Sequence, residues 1–420
     1  MIHAWFIKET KACLKDKQMK DIIKSLITIL ISGFLLVACA CNPVTKGNPP
    51  ENEGDFVDTI VYGDSKKVCA AYIALWGVYD PENKKHRAWT TDDIRGDLLT
   101  DLILSFATLS DKDHVSLELG DYNSYKSKVD KVHAQYKDLR ISLAIGGASE
   151  GTEDFSKMAA DKSLRGKFVA NVESFLKNNP SVSGIDIDWE YPGNKRDAKK
   201  NQEEINNYIQ LLKELRRMMN ALGEENGSYY RLTTALPGDR RNLIENITEI
   251  QKYLNGINLM MYDYHGSWSE ETGHNAPLNR TAIALKKYLD AGAQAEKIIF
   301  GLPFYGQRWK GVKAGASGTQ KNGLGVAVSP NYSSDYGIAY PEILELMKDF
   351  EYQQFWDEEA QAPYLYSAKD KVFVSYNDER SIESISRLVK ENKLGGMMTW
   401  EYGQDMTMTL LEVMHKNCTE

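Results

Sequence analysis

The run Val182-Ser183-Gly184-Ile185-Asp186-Ile187-Asp188-Trp189-Glu190-Tyr191-Pro192 opens the reading of the chain. Side chains alternate across a β-strand, so Asp186, Asp188 and Glu190 fall on one face and Ile185, Ile187 and Trp189 on the other. The apolar face calls for packing against helices, which makes the strand a buried one rather than a solvated edge. The carboxylates then point into an enclosed interior, spaced about 6.5–7 Å apart along the strand. Burial and mutual repulsion both oppose three simultaneous charges. A shared proton and coupled titration follow, with one carboxyl kept protonated near neutral pH as a general acid requires.

Working outward, seven more short apolar runs have strand character. They start near Val68, Leu102, Leu139, Arg231, Gly256, Lys297 and Leu394. Amphipathic stretches lie between them. In one, from Glu203 to Leu222, residues Ile205, Tyr208, Ile209, Leu211, Leu212, Leu215, Met218 and Met219 gather near one stripe. Alternating βα units with buried strands imply a parallel sheet, and eight units imply an α/β fold closed as a (β/α)8 TIM barrel. In such a barrel Glu190 stands at the C-terminal end of the fourth strand, where active sites lie. The last spacing, Lys297 to Leu394, is far longer than the others. It predicts a small α+β insertion subdomain at residues 305–375, between strands seven and eight, leaving 66–304 and 376–420 for the barrel.

The N-terminal segment reads as an address. Ser25 to Ala38 is almost wholly apolar, with Lys20 and Lys24 before it, and is too short to span a bilayer comfortably. It ends in Leu36-Val37-Ala38-Cys39, which resembles a bacterial lipobox. Residues 1–38 are therefore expected to be a leader, Cys39 the lipid attachment point, and 39–65 a flexible tether. That places the protein at the bacterial cell envelope, periplasmic or surface-exposed, touching the membrane through its lipid alone, and as a monomer. The net charge of −8 argues against a nucleic-acid backbone as partner. The five cysteines form no disulfide framework or C-x-x-C pair, and the seven histidines have no ligand spacing, so neither a metal nor another cofactor is expected. The 8 Trp, 23 Tyr and 12 Phe suit either a large core or stacking on sugar rings.

With these residues in place, the chain resembles glycoside hydrolase family 18, the chitinase family. The signature D-x-x-D-x-D-x-E maps onto residues 183–190, with Ser183 at its first position. Further matches are Met260-Met261-Tyr262-Asp263-Tyr264-His265-Gly266-Ser267-Trp268, Gly301-Leu302-Pro303-Phe304-Tyr305-Gly306 and Gly395-Gly396-Met397-Met398-Thr399-Trp400. The resemblance implies cleavage of β-1,4 linkages between N-acetylglucosamine units of chitin or its oligosaccharides, by substrate-assisted retaining hydrolysis. It implies that Glu190 protonates the glycosidic oxygen, that Asp188 orients the substrate acetamido group, and that Asp186 shares a proton with Asp188. Tyr262 would bond the acetamido oxygen and Asp263 the sugar. Trp400 would floor the site and Tyr72 flank the acids, with Met260 and Trp268 as further substrate-binding residues and Trp76 and Trp309 as other candidate stackers.

Two departures stand out. The family's S-x-G-G on strand three is Ala144-Ile145-Gly146-Gly147 here, which removes a hydroxyl from beside Asp186. The product-side Trp of many family chitinases is Ala148. An endo-β-N-acetylglucosaminidase acting on the N-glycan core is the rival reading. An inactive chitin-binding lectin is a third, and the intact Glu190 speaks against it.

Overall fold

The structure is a computed structural model that describes residues 67–148, 152–315, 322–328 and 334–419. The leader, the tether and Cys39 lie outside the described residues. Eight strands form the barrel: β1 (Val68–Ala74), β2 (Asp101–Leu109), β3 (Arg140–Gly146), β4 (Gly184–Asp188), β5 (Arg231–Pro237), β6 (Gly256–Met260), β7 (Ile298–Pro303) and β8 (Gly396–Trp400). Each pairs in parallel with its neighbour in sequence, and β8 closes onto β1.

The alternation read from the sequence holds. Ile185, Ile187 and Trp189 belong to the large core between strands and helices. Val68, Ala70, Tyr72, Ile103, Ala144, Ile299 and Met398 fill a separate cluster inside the barrel. The helix after β4 runs Ala198–Asn226 and buries Ile205, Tyr208, Leu211, Leu212, Leu215 and Met219. It is capped at the start by Asp197, whose side chain accepts from Lys200 N, and stopped by Gly227 at φ 71°. One expectation fails. Between β1 and β2 there is no α-helix but a hairpin (Val78–Asp80 with Lys85–Arg87) and two 3₁₀ turns. Pro81, Gly77, Gly96 and a run of charged residues leave that segment without an apolar stripe to bury.

Between β7 and β8 the chain builds a five-stranded antiparallel sheet, ordered Ser334–Ala339, Tyr305–Lys310, Val372–Ser375, Ala362–Ser367, Gln353–Asp357, with helix Tyr340–Lys348. Its own core is Trp309, Val312, Tyr364, Tyr366 and Phe373. Trp309 is thus a packing residue and not a sugar stacker.

The N-terminal end of the barrel is closed by ions. Asp101 opens β2 and accepts from Arg140 Nε at 2.8 Å and Nη2 at 2.6 Å, while Arg231 Nε lies 3.2 Å away. Burial pushes the Asp101 carboxyl up, but Arg231 and Arg140 outweigh it and hold the group below its usual value. Arg140 is 35% exposed, but Asp101 and Arg231 are buried, so deleting the carboxylate leaves the buried Arg231 without its ion-pair partner. Asp101→Ala is expected to cost about 3–5 kcal/mol of stability, measured by urea unfolding, and a loss below about 1 kcal/mol would show that water reaches the cluster.

Candidate active site

The C-terminal ends of the strands surround a cavity of ≈ 610 Å³. Its walls include Tyr72, Trp76, Phe106, Asp188, Glu190, Tyr191, Arg240, Met260, Tyr262, Asp263, Arg280 and Trp400. Nearly all the residues expected at the site therefore meet in one place.

Asp186 lies deepest. It is fully buried, and both its oxygens are occupied: Tyr72 Oη donates to Oδ2 at 2.7 Å, and Thr233 Oγ1 (2.5 Å) and Asn258 Nδ2 (3.1 Å) donate to Oδ1. Asn258 also donates to Tyr72 Oη at 2.9 Å. Burial raises the Asp186 carboxyl while these three donors pull it back. Ala144 stands beside Asp186 on β3, where the family pattern has serine, and Thr233 stands beside it on β5. The hydroxyl missing from one neighbouring strand is supplied by the other. Thr233 and Asn258 were not singled out from the sequence, although each is a polar residue in the inward phase of its strand.

Asp188 is next along β4. Gly146 makes room for it: at φ 120°, a Cβ there would sit 2.0 Å from the Asp188 carbonyl oxygen. The following Gly147 N–H donates to that same carbonyl at 2.8 Å. The Asp188 carboxyl hydrogen-bonds Glu190. Asp186 thus takes three neutral donors, while the Asp188 carboxyl faces Glu190 further along the strand. Burial, then the Glu190 and Asp186 charges, push Asp188 well above the usual carboxylate range. Its Oδ1 is buried with no hydrogen-bond partner among the described residues.

Glu190 follows the strand and is half-buried at the cavity wall, its backbone carbonyl held by Thr152 Oγ1. Burial raises its carboxyl. The Tyr191 hydroxyl bonded to it opposes that shift, as does the Arg240 guanidinium, while the Asp263 charge adds to it. Arg240 lies 4.4 Å over the Tyr191 ring and donates to Asn194 Oδ1 at 2.7 Å. Tyr191 and Arg240 form a brace around the acid. Arg240 comes from a loop with no periodicity to betray it.

Asp263 has φ 60° and is fixed from outside the barrel. Its N–H donates to Asn275 Oδ1 at 2.8 Å, and Tyr305 Oη (2.6 Å) and Gln307 Nε2 (3.0 Å) donate to its Oδ1. The insertion's first strand thereby positions a cavity residue. Tyr262 lines the cavity edge-on to Tyr305, at 6.4 Å between rings.

An aromatic wall completes the cleft. Trp400 stacks on Phe106 at 5.4 Å and meets Tyr72 edge-on at 5.8 Å, and Trp76 lies 6.3 Å from both Phe106 and Trp400. Trp76 is 52% exposed, so its face is open to a ligand. Phe106 escaped notice in the sequence because it reads as one more apolar residue of β2. Trp268, expected among the substrate contacts, does not line this cavity. Its ring folds over Gly266 and stays exposed. Past the end of β6 the two-residue alternation no longer applies, so its direction was not legible.

Comparisons with known proteins agree with this geometry. The profile described as "Glycosyl hydrolases family 18" matches residues 68–405. "Probable chitinase 2" of Drosophila melanogaster is 30% identical over 365 residues, covering 81% of this chain and 72% of that protein. "Chitinase A1" of Niallia circulans is 30% identical over 304 residues, 68% of this chain but only 43% of that protein. Among solved structures, a family 18 N-acetylglucosaminidase from Paenibacillus barengoltzii superposes with TM-score 0.67 at 27% identity, covering 84% of this chain and 99% of that one. A family 18 chitinase from Cycas revoluta, in complex with allosamidin, superposes with TM-score 0.71 at 23% identity, covering 83% and 99%. The chain belongs to glycosyl hydrolase family 18 and is a glycosidase of that family.

Proposed function

We propose that the protein cleaves β-1,4 linkages between N-acetylglucosamine units of chitin oligosaccharides by substrate-assisted retaining hydrolysis. The observation that carries this reading is the Asp188–Glu190 pair with Asp188 Oδ1 unpartnered. A carboxylate bonded to the acid lies on the acid's side of the sugar and cannot attack the opposite face of the anomeric carbon. It can accept an acetamido N–H, turning the substrate's own carbonyl oxygen onto that carbon and balancing the positive charge that develops. Glu190 then gives its proton to the leaving oxygen. Asp186, held by Tyr72, Thr233 and Asn258, fixes the electrostatic floor beneath, and Trp400 offers an apolar face to the sugar. Met260, Tyr262 and Asp263 line the same space. Placement at the cell envelope through Cys39 belongs to the same proposal and rests on the Leu36–Cys39 sequence alone.

The test is a product profile from the N-acetylglucosamine hexamer, run beside an N-glycoprotein. Dimer and larger fragments from the hexamer, with the glycoprotein intact, are expected. Release of glycan from the glycoprotein with the hexamer untouched would replace this reading by the N-glycan one, which the open wall at Ala148 would accommodate.

A further inference from the structure

Glu401 is a buried acid for which the mechanism has no use. It follows Trp400 directly and is 2% exposed. Its partners are all neutral N–H groups: Gly403 N at 3.0 Å and Ala74 N at 3.3 Å on Oε2, and Gln404 Nε2 at 3.2 Å on Oε1. Burial pushes its carboxyl up to about 7, against those three donors. Keeping a carboxyl at such a place is costly. As the cap of the short turn Tyr402–Gln404 it needs only the Gly403 contact, and a serine would serve there.

The contact with Ala74 is different in kind. Ala74 ends β1, and Trp76 stands two residues further on. The neighbouring Leu75 N–H donates to Ser105 O at 2.7 Å, just before Phe106. The aromatic wall is therefore assembled from the ends of three strands, β1, β2 and β8, that meet where the barrel closes. Glu401 is the side chain that bonds the β8 end to the β1 end.

We propose that Glu401 is a positioning residue for saccharide binding, its buried carboxyl clamping the end of β8 to the end of β1 so that Trp400 and Trp76 keep the spacing at which they hold a sugar chain. This rests on the reading of the cavity as a saccharide site. Stacking on the wall is made in the ground state and the transition state alike, so its loss raises KM more than it lowers kcat. In Glu401→Gln the side chain keeps its shape but carries no charge, so the bond from the Ala74 N–H is reduced from a charge-assisted to a neutral one and the clamp loosens.

The experiment measures kcat and KM on the N-acetylglucosamine hexamer for the wild type, Glu401→Gln, Trp76→Ala and the double variant. An inactive wild type would refute the saccharide reading itself, separately from this inference. With an active wild type, Glu401→Gln is expected to raise KM about tenfold, with the larger part of the loss in KM rather than kcat. The two substitutions are expected to be non-additive, the double variant staying within about twofold of the worse single one. Additive effects, or a loss confined to kcat, would overturn the proposal. Should Glu401→Gln fail to fold by circular dichroism, Glu401→Asp takes its place in the cycle. That substitution keeps the carboxylate but shortens the side chain by one methylene and draws it away from the Ala74 N–H, and additivity with Trp76→Ala overturns the proposal equally.

Discussion

Glu190→Gln is expected to abolish hydrolysis of the hexamer, with kcat falling by at least about 10²–10⁴-fold, the range a positioned general acid contributes. Fold and oligosaccharide affinity should survive, because the amide fills the same half-buried volume and the wall of Trp76, Phe106 and Trp400 does not depend on it. Circular dichroism and the quenching of tryptophan fluorescence by sugar check those two points. Retention of more than a few per cent of wild-type kcat would remove Glu190 from the acid's role. The same assignment fixes a sign for pH. Burial raises both the Glu190 and the Asp188 carboxyls, so the proton this pair holds for catalysis stays bound at a pH where an exposed carboxyl, with its value of about 4–4.5, has lost it. Activity is present while that proton is bound and is lost as pH rises through the raised value. The alkaline limb of kcat/KM should therefore lie above the ordinary carboxylate range.

The sequence made the barrel and the acidic strand legible for the same reason. Both rest on regular patterning: the barrel on short apolar runs alternating with amphipathic stretches, and Asp186-Ile187-Asp188-Trp189-Glu190 on a two-residue period with opposite chemistry on its two faces. Legibility stopped where periodicity stops. The segment between β1 and β2 has no stripe, and its hairpin was not foreseen. Trp268 lies beyond the end of β6 and turned away from the cavity. Arg240 and Tyr191 brace the acid through a stacking distance that nothing in the sequence encodes. Thr233 and Asn258 are the instructive middle case. Their inward phase was readable, but only the position of Asp186 on the adjacent strand makes their hydroxyl and amide matter. Their presence also resolves the substitution at Ala144, since what the site needs is a donor to Asp186 and not a serine at one position.

Asp188→Ala carries the second large effect, because it separates the substrate-assisted route from one with a protein nucleophile. The residue makes no covalent bond in the proposed chemistry, yet kcat is expected to fall by about 10²–10³, the scale of losing one preorganised electrostatic partner. The local frame should hold without it: Gly146 and Gly147 engage the Asp188 backbone and not its side chain, so a large loss of stability would point to a structural role instead. Retention of more than about a tenth of wild-type kcat would show that the acetamido group orients itself. The complementary change is on the substrate. Replacing its acetyl by trifluoroacetyl weakens the carbonyl oxygen as a nucleophile and leaves the ring, the leaving group and the path to Glu190 in place. The wild type should slow sharply on that substrate, and Asp188→Ala much less, since a carbonyl already out of line has little attack left to lose. If Asp263, another carboxylate lining the cavity, were the nucleophile instead, the acetyl oxygen would not take part and both proteins would respond to the fluorinated sugar alike. Its Oδ1 is already occupied by Tyr305 and Gln307, an arrangement that suits holding a sugar hydroxyl better than attacking carbon.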